Sequence, residues 1–101
     1  MKLQALSETY AVRRLEPKDV ECIYEMMRKN VMFYEYHPPF VTRESILADM
    51  KALPPQKQEE DKFYAGFFDG EKLAAVLDLI VSYPDDSAAF IGFFMTDVQC
   101  Q

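Results

Sequence analysis

The chain has 101 residues and a mass of 11.8 kDa, which is enough for one domain with a single hydrophobic core. Half of its residues are hydrophobic and 14% are aromatic, so the composition excludes a disordered or fibrous chain. A formal net charge of −6 argues against binding to nucleic acid or to an anionic membrane surface, because both need a basic face.

The cysteine count and the apolar runs predict the compartment. Cys22 and Cys100 are too few and too far apart for a disulfide framework, and the N-terminus has no continuous apolar segment of the kind found in signal peptides. The longest apolar run, residues 73–81, is interrupted by Asp78 and is shorter than the ~20 residues that span a bilayer. These features predict a protein of the reducing cytoplasm.

The N-terminal third predicts a strand followed by a helix. Residues 9–15 begin with β-forming side chains. Pro17 suits the first position of a helix, where its missing N–H costs nothing, and Asp19 places an anion in the first turn. Apolar residues then recur at spacings of three and four up to Val31, which predicts one helix of about four turns with Asn30 near its end.

The middle of the chain predicts a loop, a second helix and a connection. Residues 33–40 are rich in aromatic side chains, and two consecutive prolines there predict a loop. Thr42 is typical of a helix N-cap, and the apolar spacing after it predicts a helix over residues 43–53, ended by two further prolines. Residues 56–62 are polar and charged without an apolar anchor, and they predict a mobile connection.

The last third predicts a β-meander. The aromatic residues 63–68, the Asp-Gly turn at 69–70 and the apolar run at 73–83 predict a hairpin. A second turn at 83–87 leads to a third strand over residues 88–98. The fold class is therefore α+β, a single domain in which strand, helix and helix precede a three-stranded antiparallel meander.

Two short segments carry a resemblance to a known family. They are RRLEPKD at residues 13–19, where the first helix begins, and IGFFM at residues 91–95 in the last strand. With the order of elements they resemble the opening part of the GNAT superfamily of acyl-CoA-dependent N-acyltransferases, over residues 10–101. The resemblance implies transfer of an acetyl group from acetyl-CoA to an amine. It also implies a mixed sheet whose fourth strand splays from the fifth, with the pantetheine arm in the gap.

The end of the sequence bears on activity. In the family, a loop of the form Q/R-x-x-G-x-G/A follows the fourth strand and holds the cofactor pyrophosphate through backbone N–H groups and a helix N-terminus. Gln101 stands where the first residue of that loop would fall. We therefore expect the chain to be the N-terminal portion of such a domain, truncated and inactive by itself, with weak acetyl-CoA binding at most.

The resemblance also implies which residues line the cofactor. They belong to the last strand and the residues after it: Phe94, Met95, Thr96, Asp97, Val98 and Gln101. Gly92, within the same strand, either allows close approach of the pantetheine or marks a β-bulge.

Two carboxylates are candidate catalytic bases. Asp97, near the end of the last strand, could take a proton from an ammonium acceptor. Asp78 interrupts an apolar strand, where burial would raise the pKa of its carboxyl group. The alternatives are a solvated carboxylate that closes a strand for Asp97, and an edge or bulge position in water for Asp78.

The aromatic segment is the candidate acceptor site. Tyr34, Tyr36 and His37 have polar tips on apolar bodies, which suits the orientation of a small amine or a peptide end. The alternative is an aromatic plug that packs on the sheet. His37 is the only histidine in the chain, so no metal site is expected.

A rival hypothesis is a non-catalytic α+β interaction module. If the chain ends at Gln101, the strand at 88–98 exposes an open edge and an apolar face with Phe90, Phe94 and Val98. Such an edge favours pairing with another chain. The sequence therefore predicts a homodimer through this strand. The other expected partner is a small-molecule or peptide amine.

Overall fold

The computed structural model describes residues 2–100, with Cys100 described by its backbone alone. Seven helices and strands follow one another in the order β1, α1, α2, α3, β2, β3, β4. Their bounds are β1 Ala11–Arg14, α1 Val20–Met27, α2 Val31–Tyr36, α3 Arg43–Lys51, β2 Lys62–Asp69, β3 Lys72–Val81 and β4 Ala89–Thr96. Short 3-10 turns precede or follow several of them, at Leu3–Leu6, Pro17–Asp19, Glu59–Asp61 and Val98–Cys100.

The four strands form one antiparallel sheet in the order β1-β2-β3-β4. The turn between β2 and β3 contains Gly70 with a φ of +62°, a left-handed conformation that glycine adopts without strain. The predicted α+β class and the order of strand, helix, helix and meander are confirmed. The structure adds that β1 pairs with β2 and extends the meander to four strands.

One face of the sheet carries the main core, under the helices. Ile23 and Met26 of α1, Ile46 of α3 and Val76 of β3 are almost fully buried there. On the other face, Phe63, Leu77 and Leu79 form a smaller cluster, with Leu3 of the N-terminal 3-10 turn packed against it. The helix-covered face is therefore the one on which side chains from many elements meet.

The predicted four-turn helix is wrong at its C-terminal end. α1 ends at Met27, and a separate short helix, α2, begins at Val31. The buried side chain of Asn30 explains the break, because its amide donates to the carbonyls of Met26 at 3.3 Å and Thr96 at 3.4 Å. A side chain that satisfies a carbonyl at the end of a helix lets the chain change direction there.

The predicted loop at residues 33–40 is also wrong in its first half. Residues 33–36 belong to α2, and the chain leaves the helix only at His37, just before Pro38 and Pro39. A proline hinders a helical conformation at the residue before it, but not several residues earlier.

The start of the second predicted helix is confirmed in atomic detail. The N–H of Ser45 donates to Oγ1 of Thr42 at 3.0 Å, and the N–H of Thr42 donates to Oγ of Ser45, also at 3.0 Å. This reciprocal pair satisfies two backbone donors at the beginning of α3. The helix ends at Lys51, two residues earlier than expected.

Residues 56–62 lack an apolar anchor, as the sequence indicates, but lysine side chains tie them to the rest of the fold, and their mobility stays a prediction. Lys57 donates to the carbonyl of Ser82 at 3.0 Å and lies 3.4 Å from Asp61. Lys62 is 4% exposed and is the first residue of β2. The anchors are lysine side chains rather than apolar ones, and an apolar pattern does not reveal them.

A β-bulge at Gly92 changes which side chains of β4 share a face. Asp78 pairs with Phe93 and Leu79 pairs with Ile91, so Gly92 is left without a partner in the register. Phe90, opposite Ile80, therefore lies on the helix-covered face, and Phe94, opposite Leu77, lies on the other. The predicted common apolar face of Phe90 and Phe94 is wrong. The predicted homodimer stays a prediction.

Among the helices within residues 2–100, none has the length and apolar character needed to cross a bilayer.

Candidate functional site

A cavity of about 680 Å³ lies between α2 and the C-terminal half of β4, and we call it the α2 cavity. Six residues that the sequence predicts for the site line it: Tyr36, His37, Phe94, Met95, Thr96 and Val98. The structure therefore brings together the predicted acceptor segment and the predicted cofactor strand, which are separated by more than fifty residues in the sequence.

Aromatic packing holds the α2 side of this cavity. The His37 ring stacks on the Phe33 ring at a centroid distance of 4.7 Å. Phe33 in turn meets Phe93 of β4 edge to face at 6.0 Å. Tyr36 projects into solvent with 76% of its surface exposed, so it can contact a ligand without a change in the core.

Tyr34 lies apart from the other two predicted acceptor residues. Its ring packs against the rings of Phe33 and Phe40, each at a centroid distance of 5.0 Å. Tyr34 does not line the α2 cavity. Burial raises the pKa of its hydroxyl, and the negative charge of Asp49 acts in the same direction. The structure therefore favours the alternative in which Tyr34 belongs to an aromatic plug, rather than the interpretation in which it contacts the acceptor.

Asp97 is buried, with 2% of its surface exposed. Lys29 Nζ lies 3.3 Å from Oδ2, and the N–H of Gln99 donates to Oδ1 at 2.8 Å. Burial by itself would raise the pKa of this carboxyl group, but the hydrogen bond from Gln99 and the nearby Lys29 hold the pKa below its ordinary value. The alternative of a solvated carboxylate is wrong, and the catalytic role of Asp97 stays a prediction.

Asp97 also lies outside the α2 cavity. It lines a separate surface depression with Lys29, Lys72 and Glu21. Its backbone N–H donates to the carbonyl of Ala74 at 2.7 Å. Gln101, the last predicted cofactor residue, lies outside the described residues.

Asp78 stands in a central strand, between β2 and β4, rather than at an edge. Its side chain is 15% exposed and its Oδ2 lies 3.1 Å from Lys62 Nζ. The other oxygen, Oδ1, is buried without a hydrogen-bond partner within the described residues. The alternative of a carboxylate in water at an edge is therefore wrong, and the side chain is largely withdrawn from solvent. The register shift that leaves Gly92 unpaired falls between Asp78 and Leu79, so the bulge position in that alternative describes the structure.

Lys62 is the residue of this region that the sequence analysis missed. Its Nζ donates to the carbonyl of Ala52 at 2.6 Å and to Asp78, and its side chain is 5% exposed. It stands two residues before Tyr64, on the same face of β2, and this period of two was the available signal. A lysine is so seldom fully buried that the pattern alone favours a surface position.

A second cavity, of about 330 Å³, opens beside Asp78, and we call it the Asp78 cavity. Lys62 and Asp78 form its charged wall, the rings of Tyr83 and Phe90 an aromatic wall, and Gly92 lies at the bulge. Phe90 and Gly92 line this cavity, while residues 94–96 of the same strand line the α2 cavity. At ~3.3 Å per residue, Gly92 of one lining and Phe94 of the other lie roughly 7 Å apart along β4.

Within residues 2–100, no group of three or more histidine, cysteine or acidic side chains is arranged to hold a metal ion. This covers the side chains that the structure describes, and therefore not that of Cys100.

A comparison with solved structures found the crystal structure of an acetyltransferase from Thermus thermophilus, with a TM-score of 0.78. The two sequences are 17% identical, and the match covers 92% of this chain and 59% of that one. This chain therefore has an acetyltransferase-like fold and spans 59% of the length of that acetyltransferase. Comparisons with protein-family models and with curated proteins gave no match.

Proposed function

We propose that this chain forms the acceptor wall and part of the acyl-donor wall of a GNAT-like N-acetyltransferase, which transfers an acetyl group from acetyl-CoA to an amine. The observation that carries the proposal is the α2 cavity, which joins the segment around Tyr36 and His37 to the strand at Phe94 and Met95. The shared fold with a Thermus acetyltransferase supports it.

The lining of the α2 cavity fits the narrow, flexible pantetheine arm. Val31, Met32 and Phe33 contribute apolar surface from α2, and Phe94 and Val98 contribute apolar surface from the other side. Within residues 2–100, β4 is an edge strand, so alternate backbone groups of the strand point away from β3. Such groups can donate to and accept from an extended amide chain laid along the strand.

In the proposed reaction, acetyl-CoA supplies the acetyl group, and the residues of this chain orient the substrates and remove a proton. Acetyl-CoA, when bound, would supply the acetyl group as a thioester. In the proposed site, Tyr36 and His37 orient the acceptor and β4 aligns the donor. Because an ammonium has no free electron pair, a base must remove a proton before the nitrogen can react. Asp78 is the carboxylate that lines the neighbouring cavity along β4, and we assign it this role.

The proposal can be tested with S-acetyl-pantetheine, which has the arm and the thioester but no nucleotide. We expect the amide NMR signals of Tyr36, Phe94 and Met95 to shift when it is added to the 101-residue chain. The nucleotide part of CoA alone serves as the control ligand and should leave these signals in place. Shifts confined to residues outside the α2 cavity, or no shifts at millimolar ligand, would contradict the proposal.

Transfer itself is measured by thiol release from acetyl-CoA in the presence of a primary amine. For the 101-residue chain we expect binding of the arm in the α2 cavity, and thiol release is compared in the presence and absence of the amine. Acetyl-CoA that binds much more tightly than S-acetyl-pantetheine would show that this chain does hold the phosphates.

A further inference from the structure

We propose that Asn30 is a positioning residue of the α2 cavity, whose side-chain amide holds the open edge of β4 at a fixed place relative to α2. The contact that does this is the hydrogen bond from the amide to the carbonyl of Thr96. Both residues line the cavity. The inference rests on the function proposed above, because it concerns how an extended acyl donor lies along β4.

The ladder between β3 and β4 determines which backbone groups of β4 reach its open edge. The N–H of Asp97 donates to the carbonyl of Ala74 at 2.7 Å, and Thr96 stands opposite Ala75. In an antiparallel ladder, every second residue exchanges its backbone hydrogen bonds with the opposite strand, and the residues between direct both groups outward. Counted back from Asp97, the residues that face outward are Thr96 and Phe94, on the edge that is open within residues 2–100.

Asn30 occupies one of these outward groups. Its Nδ2 donates to the carbonyl of Thr96 at 3.4 Å and to the carbonyl of Met26 at 3.3 Å. The residue is 7% exposed, and loss of an acceptor for a buried amide is costly. One buried side chain therefore joins the last turn of α1 to the edge of β4.

The neighbouring residue, Lys29, adds a second contact at the same place. Its Nζ lies 3.3 Å from Oδ2 of Asp97, the residue after Thr96. Two successive residues of the α1–α2 junction thus contact two successive residues at the end of β4. Because α2 begins at Val31, directly after Asn30, these contacts determine where α2 lies relative to the strand.

The occupied carbonyl also limits where an extended ligand pairs with β4. A chain laid along a strand edge exchanges hydrogen bonds with the backbone groups that point outward. Since the carbonyl of Thr96 accepts from Asn30, the N–H and C=O of Phe94 are the outward pair that such a chain meets next along β4. Phe94 lines the α2 cavity and is 55% exposed. We therefore expect a ligand amide to bond to Phe94.

The test measures hydrogen exchange of backbone amides in the 101-residue chain, with and without S-acetyl-pantetheine. In the wild type, exchange of the Phe94 N–H should slow when the ligand is bound. In Asn30→Ala, the affinity for this ligand should fall roughly tenfold. The protection of Phe94 should also be lost at saturating ligand, which a mere loss of stability does not cause. Wild-type affinity together with wild-type protection of Phe94 in Asn30→Ala would overturn the proposal.

Two further variants separate positioning from stability. Thr42→Ala weakens the cap of α3, outside the α2 cavity, and should lower stability without a change in affinity or in the protection of Phe94. In Asn30→Ser, the hydroxyl group retains a donor for the carbonyl of Met26, four residues earlier, but is too short to reach Thr96. Asn30→Ser should therefore bind the ligand as weakly as Asn30→Ala. Recovery of wild-type affinity in Asn30→Ser would overturn the role of the contact with Thr96.

If neither Asn30 variant folds, the wild type decides. The side-chain amide of Asn30 should stay protected from exchange when S-acetyl-pantetheine is bound, because the ligand leaves its contact with Thr96 in place. Faster exchange of this amide in the bound state would overturn the proposal. The side-chain amide of Gln58, in the connection before β2, is the control and should not respond to the ligand.

The failure of this inference is distinguishable from the failure of the proposed function. Absence of S-acetyl-pantetheine binding to the wild type would reject the proposed function, on which this inference rests. Wild-type binding that Asn30→Ala leaves unchanged would reject this inference alone.

Discussion

Lys29 and Asp97 form an ion pair that joins the end of α1 to the end of β4, with Nζ 3.3 Å from Oδ2. The two residues are 68 positions apart in the sequence. The lysine is 38% exposed and the aspartate 2%, so the pair lies at the boundary of the core. Because Asp97 also accepts from the N–H of Gln99, its carboxylate orders the turn after β4 as well.

We therefore expect Asp97→Asn to destabilise the fold. The variant keeps an acceptor for the N–H of Gln99 but loses the charged partner of Lys29. The free energy of unfolding should fall by about 2 kcal/mol, measured by urea denaturation. Lys29→Met should act in the same direction, and the double variant should cost less than the sum of the two. Unchanged stability in Asp97→Asn would show that the carboxylate has no structural role. That result would favour the prediction that Asp97 is a catalytic base.

Tyr36→Ala separates binding from stability. Its side chain is 76% exposed, so its removal should change the free energy of unfolding by less than about 0.5 kcal/mol. In the proposed site it borders the α2 cavity, so the same variant should weaken S-acetyl-pantetheine binding or acceptor binding several-fold. Tyr10→Ala, just before β1 and outside the α2 cavity, is the control for ligand binding; Tyr10 is half-buried, so the control does not extend to stability. Full retention of ligand binding in Tyr36→Ala would show that the segment around Tyr36 and His37 serves packing rather than ligand binding.

Gly66→Ala should destabilise the core. A Cβ atom at this position would lie 2.8 Å from Leu15 Cδ2, 2.9 Å from Leu73 Cδ1 and 2.9 Å from a ring carbon of Phe68. All three neighbours are buried, so they have little room to move. We expect a loss of about 1–3 kcal/mol in thermal or chemical unfolding. A variant as stable as the wild type would mean that the leucines repack without cost.

Thr42→Ala tests the capping pair at the start of α3. It removes the oxygen that accepts from the N–H of Ser45. The expected cost is about 1 kcal/mol in the free energy of unfolding, typical for loss of an N-cap side chain. Thr42→Ser keeps the acceptor and should recover most of this stability. Equal losses in both variants would show that the threonine methyl group, rather than the cap, is important.

Acid should weaken the fold through Asp19. The guanidinium of Arg13 donates to both oxygens of Asp19, at 2.9 and 3.0 Å, and the N–H of Glu16 donates at 2.8 Å. Arg13 thereby lowers the pKa of Asp19 below its ordinary value in the folded chain. The stabilisation is complete above the unfolded pKa of about 4 and is lost as the pH falls through the folded pKa.

Unfolding followed by circular dichroism from pH 6 downwards, roughly to pH 2, measures this loss. Asp19→Asn should be less stable at neutral pH and should lose less stability on acidification. Asp86→Asn, on the exposed turn before β4, is the matched control and should follow the wild-type profile. Identical acid profiles for Asp19→Asn and the wild type would contradict the expectation.

Local signals in the sequence were sufficient to predict most of the elements. Thr42 determines the start of α3 through its own side chain, and Gly70 allows the left-handed turn between β2 and β3. Pro17 lies in the 3-10 turn just before α1, where the sequence placed the beginning of the helix. Each of these effects depends on atoms within a few residues along the chain, and such effects are visible in the sequence.

The site depended on contacts between distant parts of the chain. The break before α2 follows from the contact of Asn30 with Thr96, and the buried pair of Lys62 and Asp78 spans neighbouring strands. The bulge at Gly92 determines which side chains of β4 face the helices. Successive side chains of a strand alternate between faces, so one extra residue reverses the pattern that follows it. Register and packing, which arise only when the sheet forms, therefore decided which polar groups share a cavity.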